Sequence, residues 1–379
     1  MLHQIEKYIK EQVERLVFIE LKQDAPLVQE RFSYLKGVPI PILVKELSKH
    51  IGETGENTEQ IPIDEMIRGM IYIIGLDHQF KYNSIYRRFL YEYDEKIEDY
   101  ISYEGLKLAE AGDLNDGLIY FKALVFLNDE NINGFLNYGR CCQDLGAKFE
   151  NAQMQKDYIR TAIAAFEIIT EKYPEFALAY YFLGFHYIND KLFKKAQITW
   201  EDAISLGLDE EKEKEILLQL AKLKDHIQYE EGYTLILNNR PKEGLEKLLP
   251  LEESLKDRWN LLFFIALGYR QLGNFQEAIE YLERIIQLNP SQPDTYNELG
   301  ICYASIGNFT KAEKYLKKAL QLQGDDSEIL CNLAMVYMEL GRYELAEEYL
   351  KESYSINPED EITKRCIAQL KRIYPEHSF

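Results

Sequence analysis

Residues 258–290 read RWNLLFFIALGYRQLGNFQEAIEYLERIIQLNP, and the chain then repeats itself. PDTYNELGICYASIGNFTKAEKYLKKALQLQG begins at 293 and SEILCNLAMVYMELGRYELAEEYLKESYSINP at 327, so that Pro290, Gly324 and Pro358 recur at a spacing of 34 residues. Numbered from Trp259, Pro293 and Ser327, the eighth position holds Ala266, Gly300 and Ala334, the eleventh Tyr269, Tyr303 and Tyr337, and the twentieth Ala278, Ala312 and Ala346. Two antiparallel helices approach closely only where both present a small side chain, while an aromatic fills the space alongside. Gly273, Gly307 and Gly341 fall between the paired helices, where a tight turn needs a permissive backbone.

The same spacing carried upstream gives four weaker units, starting at Glu98, Ile132, Ala177 and Asp225. Their eighth positions are Gly105, Gly139, Gly184 and Gly232, and their twentieth are Gly117, Ala162, Ala196 and Gly244. Seven units result. The pattern resembles the tetratricopeptide-repeat family. The resemblance implies an all-α fold, a right-handed superhelical solenoid of helix-turn-helix repeats, here with an N-terminal helical region in front.

The expected layout follows. Residues 1–97 form an N-terminal helical region or cap, with Met1 to Leu21 as an amphipathic helix and prolines 26, 39, 41 and 62 separating short helices. GETGENTEQ, from Gly52, is its polar loop, and the pair Ile63 to Ile74 and Ser84 to Lys96, with Gly69 at a crossing-like position, is a candidate degenerate repeat. Units one to three occupy 98–210, an inserted helical extension 211–224, units four to seven 225–358, and a capping helix 359–374 with Ile362, Cys366, Ile367 and Leu370 inward. The second unit carries an insertion, AKFENAQMQKD (147–157), expected as a longer helix or a surface loop. The extension EKEKEILLQLAKLK (211–224) places Ile216, Leu220, Leu223 and Ile227 at helical spacing and lengthens the first helix of unit four.

Composition narrows the function. With 46% hydrophobic and 28% charged residues the chain has enough apolar material to fold. A net charge of -20 disfavours nucleic acid and anionic membrane surfaces, since phosphate binding needs Lys and Arg. It also sets against a helix-turn-helix DNA reader in PILVKELSKHIGE (41–53). The start lacks a secretion signal, and no apolar run is long enough to span a membrane. Five cysteines without framework spacing read as reduced thiols in a cytoplasm. The six histidines fall in no metal-ligand spacing, and no phosphate loop or nucleophile motif appears, so no catalytic, cofactor or metal residue is assigned.

In the family the first helices line the concave face, and the fifth and ninth positions point into it. The resemblance therefore implies a peptide groove at Leu106, Arg140, Tyr181, Phe185, Tyr229, Tyr233, Phe263, Leu267, Ile301 and Met335. The set is mainly apolar or aromatic and suits apolar anchors on a partner segment, with a basic flank favoured by the acidic exterior. A family subtype clamps a terminal carboxylate with Lys and Asn; here Arg140, Asn137 and Asn332 are isolated fragments and no unit has Lys at the fifth position. The first expectation is a cytoplasmic, non-enzymatic interaction scaffold that binds a protein or peptide partner. The alternatives are a peptide- or effector-responsive regulatory receptor with the N-terminal region as output, and an accessory subunit of an enzyme.

Overall fold

The computed structural model describes residues 2, 4–22, 31–48, 61–255 and 258–375. They divide into two compact units, Met1–Leu217 and Leu218–Phe379.

The first unit opens with a short helix α1 (Glu6–Ile9), a 3-10 turn (Lys10–Arg15) and a strand β1 (Leu16–Glu20). The expected helix over Met1 to Leu21 is therefore corrected beyond Ile9. Leu16 to Ile19 is an unbroken apolar run, and it pairs antiparallel with β2 (Pro39–Leu43), Leu16 opposite Leu43 and Glu20 opposite Pro39. Pro39 and Pro41 cannot donate to a helix and lack their N–H on the same edge of the strand, so they mark strand here and do not separate helices. The DNA-reader segment 41–53 thus begins as strand, with helix at 44–48; residues 49–53, the GETGENTEQ loop and Pro26 lie outside the described residues.

Helix α2 (Ile63–Leu76) packs between β2 and the array, and α3 (Asn83–Tyr93) follows it. A Cβ on Gly69 would stand 1.8 Å from the Pro41 carbonyl oxygen, and one on Gly75 would stand 2.1 Å from that of Ile119. Gly69 is small because the helix crosses a strand, so 63–96 does not pack as a degenerate repeat.

Helix pairs follow: α4 (Ile97–Glu110) with α5 (Leu114–Leu127), α6 (Ile132–Gly146) with α7 (Ala152–Lys172), and α8 (Ala177–Asn189) with α9 (Phe193–Ser205). The insertion at 147–157 is a short loop running into a longer α7, whose N-terminus is capped by the Asn151 side chain. Helix α10 (Glu210–Leu237) is continuous, and the boundary between the two units falls inside it.

In the second unit the end of α10 pairs with α11 (Pro241–Leu248), α12 (Trp259–Gln271) with α13 (Phe275–Leu288), α14 (Pro293–Ser305) with α15 (Phe309–Gln323), and α16 (Ser327–Glu339) with α17 (Tyr343–Ile356). Helix α18 (Glu361–Ile373) packs against α16 and α17. It buries Thr363, Cys366 and Leu370, while Ile362 is exposed, contrary to expectation. Ile362 sits about a quarter-turn off the buried face.

The joints explain the repeat. Facing the eighth-position glycines stand Phe121, Phe166 and Trp200 in the first unit and Leu248 and Leu316 in the second, all buried. The turn between paired helices is left-handed at Gly112, Gly273, Gly307 and Gly341, and at Lys191 and Asn239 in units three and four. Tyr269, Tyr303 and Tyr337 each stack on a tyrosine of the paired helix, Tyr281, Tyr315 and Tyr349, with centroids 5.7, 5.4 and 5.5 Å apart.

Candidate functional site

The side chains read as a groove fall in both units, on the first helices of their repeats. In the first unit Leu106 and Arg140 are exposed, with the Arg140 guanidinium 5.8 Å from the Phe182 ring. Phe185 is half-buried, edge-on to Trp200 at 4.8 Å and to Tyr181 at 5.2 Å. Tyr181 is buried, and its hydroxyl donates to Glu215 on α10 at 2.7 Å. Burial and that carboxylate raise the phenol well above its usual range, so Tyr181 stays a neutral donor held inside the fold and offers no open surface.

In the second unit Tyr229, Tyr233, Phe263, Leu267 and Ile301 are half-buried, and Met335 is exposed. Tyr233 stacks on Phe264 at 5.2 Å and leans on Tyr229 at 5.3 Å, and Phe263 stands edge-on to Phe264 at 5.9 Å. Each keeps an accessible edge while its other side is fixed by packing, which is how an aromatic presents contact area without losing much conformational freedom.

The sequence reading missed a polar bracket in the second unit. Arg270 pairs with Glu298 at 2.5 Å; Asn297 donates to Glu328 at 3.2 Å, and Asn332 donates to Asn297 at 3.0 Å. Asn332 is therefore no isolated fragment. Burial lifts the Glu298 carboxyl up to about 7 against the opposing pull of Arg270, with Glu328 and Asp294 adding to the rise. The signal was available: the second, sixth and twelfth positions share a helical face with the fifth and ninth.

The N-terminal segment lies elsewhere, against second helices. Lys122 on α5, 1% exposed, pairs with Glu6 at 2.9 Å, and Glu6 meets His78 at 2.8 Å. Asp116 accepts both Arg15 nitrogens at 2.6 and 2.8 Å and the Tyr72 hydroxyl at 2.9 Å. Asp157 on α7 accepts from Tyr8 at 2.8 Å and Lys7 at 2.9 Å. Burial, the largest influence, would raise the Asp116 carboxyl, but the Arg15 hydrogen bonds and charge, the Tyr72 hydroxyl and Lys45 together hold it below the usual range. Burial pushes Lys122 below the ordinary lysine range despite Glu6. Each buried charge has a partner, as its desolvation requires.

A family model described as Tetratricopeptide repeat matches residues 259–325 and 291–359. Residues 259–359 are tetratricopeptide repeats. Photosystem I assembly protein Ycf3 is 31% identical over 81 residues in Prochlorococcus marinus (21% of this chain, 47% of that one) and 28% identical over 80 residues in Rippkaea orientalis (20% and 46%). The chain spans about half the length of these curated relatives. Among solved structures, PilW, a type IV pilus biogenesis factor, is 20% identical with a TM-score of 0.39, covering 60% of this chain and 98% of that one. The first tetratricopeptide domain of Spaghetti (RPAP3), bound to the HSP90 peptide SRMEEVD, is 15% identical with a TM-score of 0.30, covering 31% and 94%.

Among the described residues, no three His, Cys, Asp or Glu side chains are grouped as metal ligands. No described helix is long and apolar enough to cross a membrane.

Proposed function

We propose that this chain is a non-enzymatic interaction scaffold whose second unit binds a segment of another protein on its first-helix face. The observation that carries this reading is the row of half-buried and exposed apolar side chains from Tyr229 to Met335, each packed on one side and accessible on the other. A fold that needed these side chains only for packing would bury them as it buries Leu282 and Leu316. Asp294 and Glu328, exposed beside the row, favour a partner with apolar anchors and an adjacent Lys or Arg flank. The five free, buried cysteines fit a reducing compartment such as the cytoplasm.

The regulatory-receptor reading asks the N-terminal region to move. The buried pairs of Lys122, Asp116 and Asp157 with that region favour a fixed cap instead.

Selection from a random-peptide display library, followed by calorimetric titration of the enriched peptide, tests the proposal. We expect two aromatic or aliphatic residues beside Lys or Arg, and a loss of about tenfold in affinity, roughly 1.4 kcal/mol, for Tyr233→Ala or Met335→Ala. Enriched peptides that bind both variants as tightly as the unaltered chain would sink it.

A further inference from the structure

The last joint of the second unit is filled differently from those before it. Where α18 meets α16, Cys331 and Cys366 bring their Sγ atoms to 3.4 Å, with the two residues 1% and 4% exposed. Beside them the Ser353 and Thr363 hydroxyls are 2.8 Å apart. The two cysteines come from separate helices and are 35 positions apart in sequence, so only the docking of α18 brings them together.

We propose that Cys331 and Cys366 form an oxidisable dithiol that closes to an intramolecular disulfide and ties the terminal helix to the last repeat. A disulfide needs sulfurs at about 2.05 Å, so the pair closes by roughly 1.4 Å, a distance within reach of small side-chain rotations. Hydrogen bonding from Cys331 draws Cys366 below the usual thiol range and holds Cys331 above it, which makes Cys366 the attacking sulfur. Access comes through α18 itself: it buries one face only, at Thr363, Cys366 and Leu370, and an element held by few buried contacts opens locally at low cost.

Hydrogen peroxide is the oxidant the chemistry requires. The Cys366 thiolate attacks one peroxide oxygen: an S–O bond forms, the O–O bond breaks, and hydroxide leaves to be protonated to water. The sulfur of Cys331 then attacks that of Cys366; the S–S bond forms, the S–O bond breaks, and a second water leaves with the Cys331 proton. Two thiols and one peroxide become one disulfide and two waters. The inference stands apart from the peptide-binding reading, since neither cysteine belongs to the proposed row.

The test uses the full chain. After brief peroxide treatment, the free thiols are alkylated and the protein is digested without reduction, with amide exchange followed in parallel. We expect a linked peptide pair containing Cys331 and Cys366, two hydrogens lighter than the sum of its reduced halves. Of the five thiols three should remain alkylatable, and exchange across α18 should slow about tenfold or more, an effect that Cys366→Ser abolishes. Alkylation of both cysteines after treatment, pairing of either with Cys302, Cys141 or another molecule, or a disulfide that leaves α18 exchange unchanged would each overturn the proposal.

Discussion

The two units solve the same packing problem with different materials. In the first, a glycine at the eighth position faces a ring, Phe121, Phe166 or Trp200; in the second, Gly232 and Gly300 face leucines, and Ala266 and Ala334 hold the eighth position of the other two repeats. A bare backbone takes a ring in one unit and a leucine in the other, so the joint requires one small partner more than it requires a particular large one. The units also differ in charge. The first buries Asp116, Lys122 and Asp157 against an N-terminal segment, whereas the second builds its flanks from stacked tyrosines. The first unit is thus specialised for holding its own N-terminus and the second for regular repetition.

The sharpest way to break this contrast is at Asp116. Replacing it with Ala removes the charged acceptor of the Arg15 guanidinium and the Tyr72 hydroxyl, which keep only Gln12 Oε1 in common, and since Arg15 is 40% exposed and can be hydrated, about 2–4 kcal/mol of stability should be lost from the first unit. Urea unfolding, followed by near-ultraviolet dichroism, checks the size; a loss below about 1 kcal/mol would mean that the N-terminal segment is not held in this way.

The joints come next. Gly184→Ala puts a methyl 2.1 Å from Trp200 Nε1, and that ring is fixed by its hydrogen bond to the Tyr181 carbonyl at 3.0 Å. About 2–3 kcal/mol should be lost. Gly300→Ala meets only Leu316 side-chain atoms, at 2.4 and 2.6 Å, and a leucine can turn aside; the cost should stay below about 1 kcal/mol. Equal urea midpoints for the two variants would contradict the ring-against-leucine distinction.

His186 in the first unit gives a pH test. It is 3% exposed, neither ring nitrogen has a hydrogen-bond partner among the described residues, and burial lowers its pKa to about 4. An unfolded histidine titrates near 6.5. Between those values the unfolded chain binds the proton first, so stability is full above the upper value and is lost as pH falls toward 4. His186→Leu should remove that loss, gaining about 2 kcal/mol more at pH 5 than at pH 8. The same gain at both pH values would show that the histidine is not buried neutral.

The smallest expected effect is at a turn. Lys191 adopts the left-handed conformation that glycine holds in the C-terminal repeats, with φ of 60°. Lys191→Gly should raise stability by about 1 kcal/mol or less, seen as a higher melting temperature.

How much was legible in the sequence follows from what the residues contact. The repeats could be read because each joint needs small residues at the same two places, and the requirement recurs every 34 residues from Trp259 onward. The hairpin could not: Leu16 continues the helical spacing of Ile5, Ile9 and Val13, and its partner strand lies about twenty residues further on. Pro39 and Pro41 carried the signal and read as breaks. The accessible row at Tyr229 to Met335 followed from position within the repeat. The fate of Tyr181 did not, because the acceptor that closes it off, Glu215, stands in the inserted stretch where the period fails. The Arg270–Glu298 pair joins consecutive repeats through unlike positions, which a position-by-position reading does not compare.

Site-specific photo-crosslinking tests the central claim most directly. A benzophenone side chain at position 335, on the first-helix face, is compared with one at position 354, an exposed tyrosine of α17. Challenged with the selected peptide, the chain should crosslink from 335 and not from 354. Crosslinking from 354 alone, or equally from both, would contradict binding on the first-helix face.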